Sequence, residues 1–401
     1  MEQVQTTQTN EQKAVSSDTA VDSPAKKDTD ENAQQEPQVI SNQQDDPDTT
    51  TLHTDDETID DILNDPDRAP IVKLLHDAQV NLTALELETL RQLPKWSDVT
   101  SLYGSEPVIS GLETCEAFQR LPDPAEHFVS TAGTFNTGTN LMAELLIRNC
   151  YMPARTEKYG MRNRGVRWQV LWGKHTPVFD EDFRLHHRTY NDSTLQPQNM
   201  FPAVMVRDPF KWMQSMCRHE YGAHWEHNQT VHCPNLVPND GDRALWQADN
   251  VTVDLTKTGG IPVTIHYKEF EINHDTLVGF WNDWYREYSQ VKWPRLLVRF
   301  EDLIFYPQQV TKTVCECAGG KLLEGRPFQF VVESAKRGIG QHGSKKERTT
   351  YIDALVKYGT EKGRYNGYDE ADLEYAKQHL SPELLELFQY KLPTAVSSSR
   401  T

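Results

Sequence analysis

The chain has 401 residues, 37% of them hydrophobic, and a formal net charge of −18, enough for one large or two ordinary domains. No run of about 18 or more apolar residues marks a membrane span, no basic-then-apolar leader is visible at the start, and no nucleic-acid partner is expected. Six cysteines (Cys115, Cys150, Cys217, Cys233, Cys315 and Cys317) are too sparse for a disulfide scaffold. Most of the acidity lies at the front: residues 1–68 hold about 18 acids against 4 bases and almost no aromatics. Such a segment cannot bury enough apolar surface to offset its ordering entropy, so a disordered acidic tail is predicted.

Residues 69–120 read as a helical arm, because Leu and Ile recur at three and four through "APIVKLLHDAQVNLTALELETLRQL". From 121 to 395 strands and helices alternate. "HFVSTA" is a predicted strand followed by the helix "GTNLMAELLIRNC", and "VRWQVLWGK" is a second strand ending near Pro177. "FPAVMVRD" is a continuous apolar run, suited to a strand buried on both faces. "PFKWMQSMCRH" starts a helix with Pro209 in its first turn, where a missing N–H is harmless. Residues 222–266 read as an irregular insertion. "DTLVGFWNDWYREYSQ" is an amphipathic helix, "PRLLVRFEDL" a strand and "PQQVTKTVCECAGG" a helix closed by glycines. "DLEYAKQHL" and "SPELLELFQYKL" end the chain, with Ser381 as cap and Pro382 in the first turn. The alternation predicts an α/β fold with a mainly parallel sheet.

Between the first strand and its helix lies "GTFNTGTN". Gly133 and Gly138 are five apart, as in the phosphate-binding pattern G-x-x-x-x-G-K-[ST], but the next positions are Thr139 and Asn140. Without the lysine and the magnesium-binding hydroxyl, nucleotide hydrolysis is disfavoured. Successive backbone N–H groups at a helix N-terminus still make an anion site; an ordinary turn would contain the same residues. Arg207 ends the third apolar strand, at the mouth of a parallel sheet where ligands bind, and Ser215 lies eight residues on, two turns into the next helix. A guanidinium and a hydroxyl so placed can clasp one phosphate. The plain alternative is an Arg207–Asp208 surface pair with a solvated serine.

In this order the blocks resemble the sulfotransferases that use 3′-phosphoadenosine 5′-phosphosulfate. The loop "FNTGTNLM" matches their phosphosulfate-binding loop at Thr137, Gly138, Thr139 and Leu141; Arg207 and Ser215 keep the separation of the pair that holds the 3′-phosphate. "RFEDL" around Glu301, Asp302 and Leu303 resembles a further family block, and "LSPELLELFQYKL" the last helix. The resemblance covers roughly His127 to Leu392 and implies a three-layer, P-loop-like fold: a central, mainly parallel sheet flanked by helices. It implies that Asn136, Thr137, Gly138, Thr139, Asn140, Arg207 and Ser215 bind the co-substrate, together with Lys345, Lys346 and Arg348 of a late basic loop ("GQHGSKKERTTYI"). The acceptor implied is a carbohydrate or small hydroxyl compound, and no metal is required.

One position departs from the family. Its loop lysine falls at Asn136, and losing one such charged donor costs on the order of 2–4 kcal/mol in a transition state. "WGKHTP" offers a replacement: Lys174 for the charge and His175 as base, since a histidine accepts a hydroxyl proton at neutral pH. A strand-end histidine bonded to backbone is the plain alternative, and Glu144, Asp180, Glu181 and His186 are further candidate bases. In the insertion, Cys217, His219, His224, His227, His232 and Cys233 fit no compact zinc pattern; a Cys217–Cys233 disulfide or an acceptor lid are the readings kept open. Cys315 and Cys317 face different ways on a helix and receive no function. Trp225, Trp246, Trp281 and Trp284 are either sugar-stacking or core residues. Two rivals stand beside the enzyme: a P-loop kinase or NTPase, and an inert relative that only binds. The compartment is the Golgi lumen if an anchor precedes this sequence, otherwise the cytoplasm.

Overall fold

Three runs of β-branched and apolar residues, too short and too continuous for surface helices, pair to form the centre of the molecule. The computed structural model describes residues 57–188, 195–227, 233–335 and 349–393. They lie in the compact unit that begins at Asp56.

In chain order, helices α1 (Ile59–Leu63), α2 (Ala69–Asp77), α3 (Leu87–Arg91) and α4 (Trp96–Tyr103) lead to strand β1 (Ile109–Ser110) and helix α5 (Cys115–Gln119). Then come β2 (Phe128–Gly133), α6 (Thr139–Asn149), β3 (Cys150–Tyr151), α7 (Pro153–Tyr159), α8 (Phe183–His186), β4 (Met200–Val206) and α9 (Pro209–Arg218). The insertion holds β5 (Ala223–His224), α10 (Asp240–Ala248) and β6 (Val263–His266), followed by β7 (Glu271–His274) and α11 (Leu277–Gln290). The chain continues through β8 (Leu296–Arg299), α12 (Phe300–Phe305), α13 (Pro307–Cys317), β9 (Lys321–Leu322), α14 (Tyr351–Tyr358), α15 (Glu370–His379) and α16 (Pro382–Phe388).

The fold is α/β with a mixed sheet of order β1-β8-β4-β2: β8, β4 and β2 are parallel, and β1 is antiparallel at the edge. Strand periodicity sends alternate residues to opposite faces. Phe128, Ala132, Met200, Val204, Val206 and Leu297 face one core with Phe210, Trp212, Trp281, Trp284, Tyr285 and Tyr288 of α9 and α11. Val129, Phe201, Ala203, Met205, Leu296 and Val298 face a second core with α6 and α13. Both faces are covered, which is why these strands read as unbroken apolar runs. The register pairs Gly133 with Met205 and Val206 with Arg299. The loop after β2, the start of α9 and the start of α12 therefore emerge together.

Four expectations change. The acidic tail does not run to 68. Thr58 makes a capping box for α1, Ile62 is buried, and Arg68 bonds Leu93 O, Glu57 and Asp65, so a short amphipathic helix hidden by the average composition joins the arm's core. The predicted strand at 166–174 is not a strand. Gly165 and Gly173 take positive φ, and the segment follows β2 as an irregular edge through Val129 N–H to Gly165 O, Val170 N–H to Thr131 O and Gly133 N–H to Lys174 O. The insertion is not wholly irregular, since β5, β6 and β7 form a three-stranded antiparallel sheet. All six cysteines are paired, as Cys115–Cys317, Cys150–Cys315 and Cys217–Cys233. The two cysteines on α13 do face apart, and each reaches a different partner across the second core. Among the described residues no helix is long and apolar enough to cross a membrane.

Candidate functional site

The site forms where β2 and β4 end. Gly133 and Gly138 are required by shape: a Cβ on Gly138, at φ +81, would lie 2.2 Å from the Phe300 ring, and one on Gly133 2.6 Å from Thr137 Oγ1. The loop is gripped from α9, where Trp212 Nε1 donates to Phe135 O at 2.7 Å. Thr137 turns its hydroxyl inward to Thr134 O, and Thr134 meets Tyr285 OH. The first backbone bond of α6 is Met142 N–H to Gly138 O. The N–H groups of the loop and first turn, Phe135 to Thr139, have no protein acceptor among the described residues. They form the row of donors that favours an anion at a helix N-terminus.

Lys174 reaches this row. Its ammonium donates to Asn140 Oδ1 at 2.7 Å and lies 5.6 Å from the Trp168 ring centre. Burial lowers its pKa to about 8, so it remains mostly charged at neutral pH. Next to it, His175 Nδ1 lies 2.7 Å from Gly133 O. A proton on Nδ1 shared with that carbonyl makes Nε2 the accepting nitrogen. Burial first, and the Lys174 cation second, hold the ring's pKa down to about 3, so His175 is neutral. Trp284 Nε1 and Tyr288 OH fix the 175–176 carbonyls from α11. Phe135 packs on the imidazole at 4.8 Å, and Tyr221 stacks on Phe135 at 5.6 Å.

Arg207 is 5% exposed. Its Nη1 donates to Asn136 O at 2.7 Å, Nη2 bonds Tyr358 OH, and Nε has no partner. Asp208 is not its counterion: that carboxylate caps α9 at Phe210 N and Lys211 N and pairs with Arg364 at 2.6 Å. Glu301, fully buried, accepts from Asp208 N and Tyr390 OH, and burial followed by the Asp208 charge raises its pKa to about 7. Along α9, Lys211, Ser215 and Arg218 recur at i, i+4 and i+7, one face of the helix. Ser215 Oγ donates to Lys211 O and accepts from Arg218 Nη2 at 2.9 Å. Lys211 is 2% exposed and makes no hydrogen bond or ion pair through its ammonium among the described residues. Burial lowers its pKa to about 8, partly offset by Asp208. Three cations, Arg207, Lys211 and Arg218, thus gather around Ser215 with Asp208 the nearby carboxylate, a concentration of positive charge that favours an anion.

Asn136 joins the two halves differently from the expectation. At φ +61 its amide donates to Ser215 O at 3.2 Å and His219 O at 2.8 Å, closing the end of α9. The side chain therefore positions the loop against α9, and what Asn136 brings to the site is its backbone: an N–H in the donor row and the carbonyl held by Arg207.

The structure thus brings Thr137, Gly138, Thr139, Asn140, Lys174, His175, Arg207 and Ser215 into one neighbourhood. Lys345, Lys346 and Arg348 lie outside the described residues. The fallback bases lie elsewhere: Glu144 is buried beside Arg148, Asp180 and Glu181 bond the backbone of Asp182 and Lys292 on an exposed stretch, and His186 is exposed on α8. Cys217 and Cys233 are consumed by their disulfide and cannot ligate zinc; His232 is outside the described residues. Trp281 and Trp284 are core, and Trp246 donates to Glu226 O. Sequence reasoning missed Lys211, Arg218, Tyr358 and Arg364. The spacing of 211, 215 and 218 was a readable signal for two of them; Tyr358 and Arg364 arrive from far along the chain. No protein-family model, curated protein or solved structure matches the chain.

Proposed function

We propose that the protein is a sulfotransferase, moving a sulfuryl group from 3′-phosphoadenosine 5′-phosphosulfate to a hydroxyl of a carbohydrate or small alcohol, on a three-layer, P-loop-like fold. The observation that carries this reading is the pair of anion-receptive surfaces joined through Asn136: the unpaired loop N–H row with Lys174, and the Arg207–Lys211–Ser215–Arg218 face. Two surfaces so close suit one ligand with phosphate groups at both ends. The loop holds the phosphosulfate and the α9 face the 3′-phosphate.

In the transfer, the acceptor oxygen forms a bond to sulfur while the bond from sulfur to the bridging oxygen breaks, its electron pair going to the 5′-phosphate. The acceptor proton passes to Nε2 of His175. Products are the sulfate ester and adenosine 3′,5′-bisphosphate. Lys174 and the backbone donors stabilise the charge that builds on the leaving phosphate, and orientation supplies much of the remaining rate. Burial is the larger cause of the low His175 pKa and the Lys174 charge the smaller; bound anions offset only the second.

A second reading, an inert relative that only binds, draws on Asn136 standing where a lysine is expected. Three disulfides that use every cysteine favour an oxidising compartment, so the secretory lumen is the better of the two locations.

The test uses the full chain. Adenosine 3′,5′-bisphosphate at about 100 times its Kd should stabilise the protein by roughly 2.7 kcal/mol, ATP with magnesium should not, and labelled sulfate should move to a carbohydrate or alcohol. Stabilisation by ATP but not the bisphosphate overturns the reading in favour of a kinase; bisphosphate binding without transfer to any acceptor favours the inert relative.

A further inference from the structure

Asp208, the N-cap of α9, is fully buried and both of its oxygens are engaged. Oδ1 accepts from the backbone N–H groups of Phe210 at 3.0 Å and Lys211 at 3.1 Å. Oδ2 accepts from Arg364, Nε at 2.9 Å and Nη2 at 2.6 Å. Lys211 stands in the same first turn, three residues on. Asp208 is the carboxylate whose charge supports its ammonium, while Arg207, Arg364 and Arg218 oppose it. Two cations therefore compete for one carboxylate, and the guanidinium has it.

Arg364 is held from every side. It is buried; Nη1 donates to Tyr365 OH at 2.7 Å and Nη2 also to Lys391 O at 2.6 Å. Its loop is docked on α9, where Gln214 Nε2 donates to Gly363 O and Arg364 O, and Tyr368 OH donates to Phe210 O. The same loop flanks the lysine: a Cβ on Gly363 would lie 3.8 Å from Lys211 Nζ. Without Arg364, Oδ2 of Asp208 would be a buried charge short of a partner, which is costly. The Lys211 ammonium, one helical turn away, is the cation that can relieve it. We propose that Arg364 is a positioning residue for nucleotide binding: by occupying Asp208 it keeps the Lys211 ammonium out of an internal ion pair and available to the 3′-phosphate. The link to the nucleotide rests on the reading of the α9 face as the 3′-phosphate site; the choice of partner by Asp208 does not.

Positioning and a plain structural tie have different consequences. Removing Arg364 alone frees Asp208 for Lys211, and a phosphate must then break that pair to be held. Removing the Asp208 charge as well leaves Lys211 nothing to pair with, and asparagine at 208 still caps α9 through its side-chain oxygen. A tie that merely fastened the 361–368 loop to the helix would be lost equally in both cases.

The experiment compares the full chain with Arg364→Gln, Arg364→Lys and the double variant that joins Arg364→Gln to Asp208→Asn. Calorimetry reads adenosine 3′,5′-bisphosphate binding, NMR of isotope-labelled lysine follows Lys211 in the ligand-free proteins, and thermal unfolding checks the fold. R364Q should bind the bisphosphate about tenfold more weakly. Its Lys211 should titrate above the wild-type value of about 8, because a negative charge has turned to it and a positive one is gone. R364K, which still meets Asp208, and the double variant should bind within about threefold of wild type. Unchanged affinity in R364Q, an unmoved Lys211 titration, or a double variant no tighter than R364Q overturns the proposal. So does an R364Q that unfolds where the double variant folds, since Lys211 has then not taken over Asp208. A wild-type chain that binds no bisphosphate removes the sulfotransferase, and the Lys211 titration still decides whether Asp208 changes partner.

Discussion

Two arginines stand side by side at the ends of neighbouring parallel strands, one just after Val206 of β4 and one at the last position of β8, and they are used oppositely. Arg299 is fully buried and saturated: Nε and Nη2 meet both oxygens of Asp302, Nη2 also donates to Tyr103 O, and Nη1 to Phe388 O. Arg207 is nearly as buried, yet it has a carbonyl, a phenol and an idle Nε, with its neighbouring carboxylate taken by Arg364. The first arginine ties the arm, the sheet and the last helix together. The second makes fewer such ties, which suits the phosphate-binding role proposed for it. Burial alone does not separate a structural cation from a receiving one; the inventory of its partners does.

The largest effect should come from the saturated member. Arg299→Ala strands Asp302 in the core and should cost about 3–5 kcal/mol in denaturant unfolding. Arg207→Ala removes a carbonyl bond and a phenol bond and should cost about 1–3 kcal/mol, less than Arg299→Ala, while adenosine 3′,5′-bisphosphate binding measured by calorimetry weakens by about 30-fold or more. Equal destabilisation by the two, or unchanged bisphosphate binding in R207A, breaks the contrast.

Next in size is Lys174, the cation of the other surface. Lys174→Met should lower the transfer rate about 10²–10³-fold and weaken the bisphosphate, whose 5′-phosphate carries the charge that builds on the leaving group, while ground-state affinity for the phosphosulfate stays within about threefold. A rate loss matched by an equal loss of phosphosulfate affinity would make Lys174 an ordinary binding residue.

The smallest effect is the pH profile of kcat/KM. Lys174 has its pKa lowered from 10.5 to about 8, so its charge is present below that value and lost above it. Activity should fall about tenfold per unit above pH 8. His175, held near 3, is neutral throughout, so no acid limb should appear at the ordinary histidine value of 6.5. An acid limb there, absent in Lys174→Met, would instead show that the two groups titrate together in the working enzyme.

Much of this was legible in sequence where one residue has one physical reason to be present. The continuous apolar runs at 128–133 and 200–206 mark strands covered on both faces, Pro209 and Ser381–Pro382 mark helix starts, and the glycines at 133 and 138 mark a bend that only they permit. Failures came where a residue's partner is distant in the chain. Asn136 looks like a weakened lysine until α9 is seen to take its amide. The 166–174 run has strand composition, but Gly165 and Gly173 turn it into an irregular edge. Arg364 decides the role of Arg207 by occupying Asp208 from 156 residues away. The cysteines of α13 also seemed idle, because their partners lie more than a hundred positions upstream.

Those pairings have a topological result. The bond from Cys150 to Cys315 is nested inside the one from Cys115 to Cys317, with separations of 165 and 202 residues. A peptide bond cut at any single point between Cys115 and Cys317 therefore yields no free fragment. The severed halves stay tethered at α13, and both walls of the site, with its lysine, histidine and arginine, remain on one covalent body that has only lost its continuity of backbone.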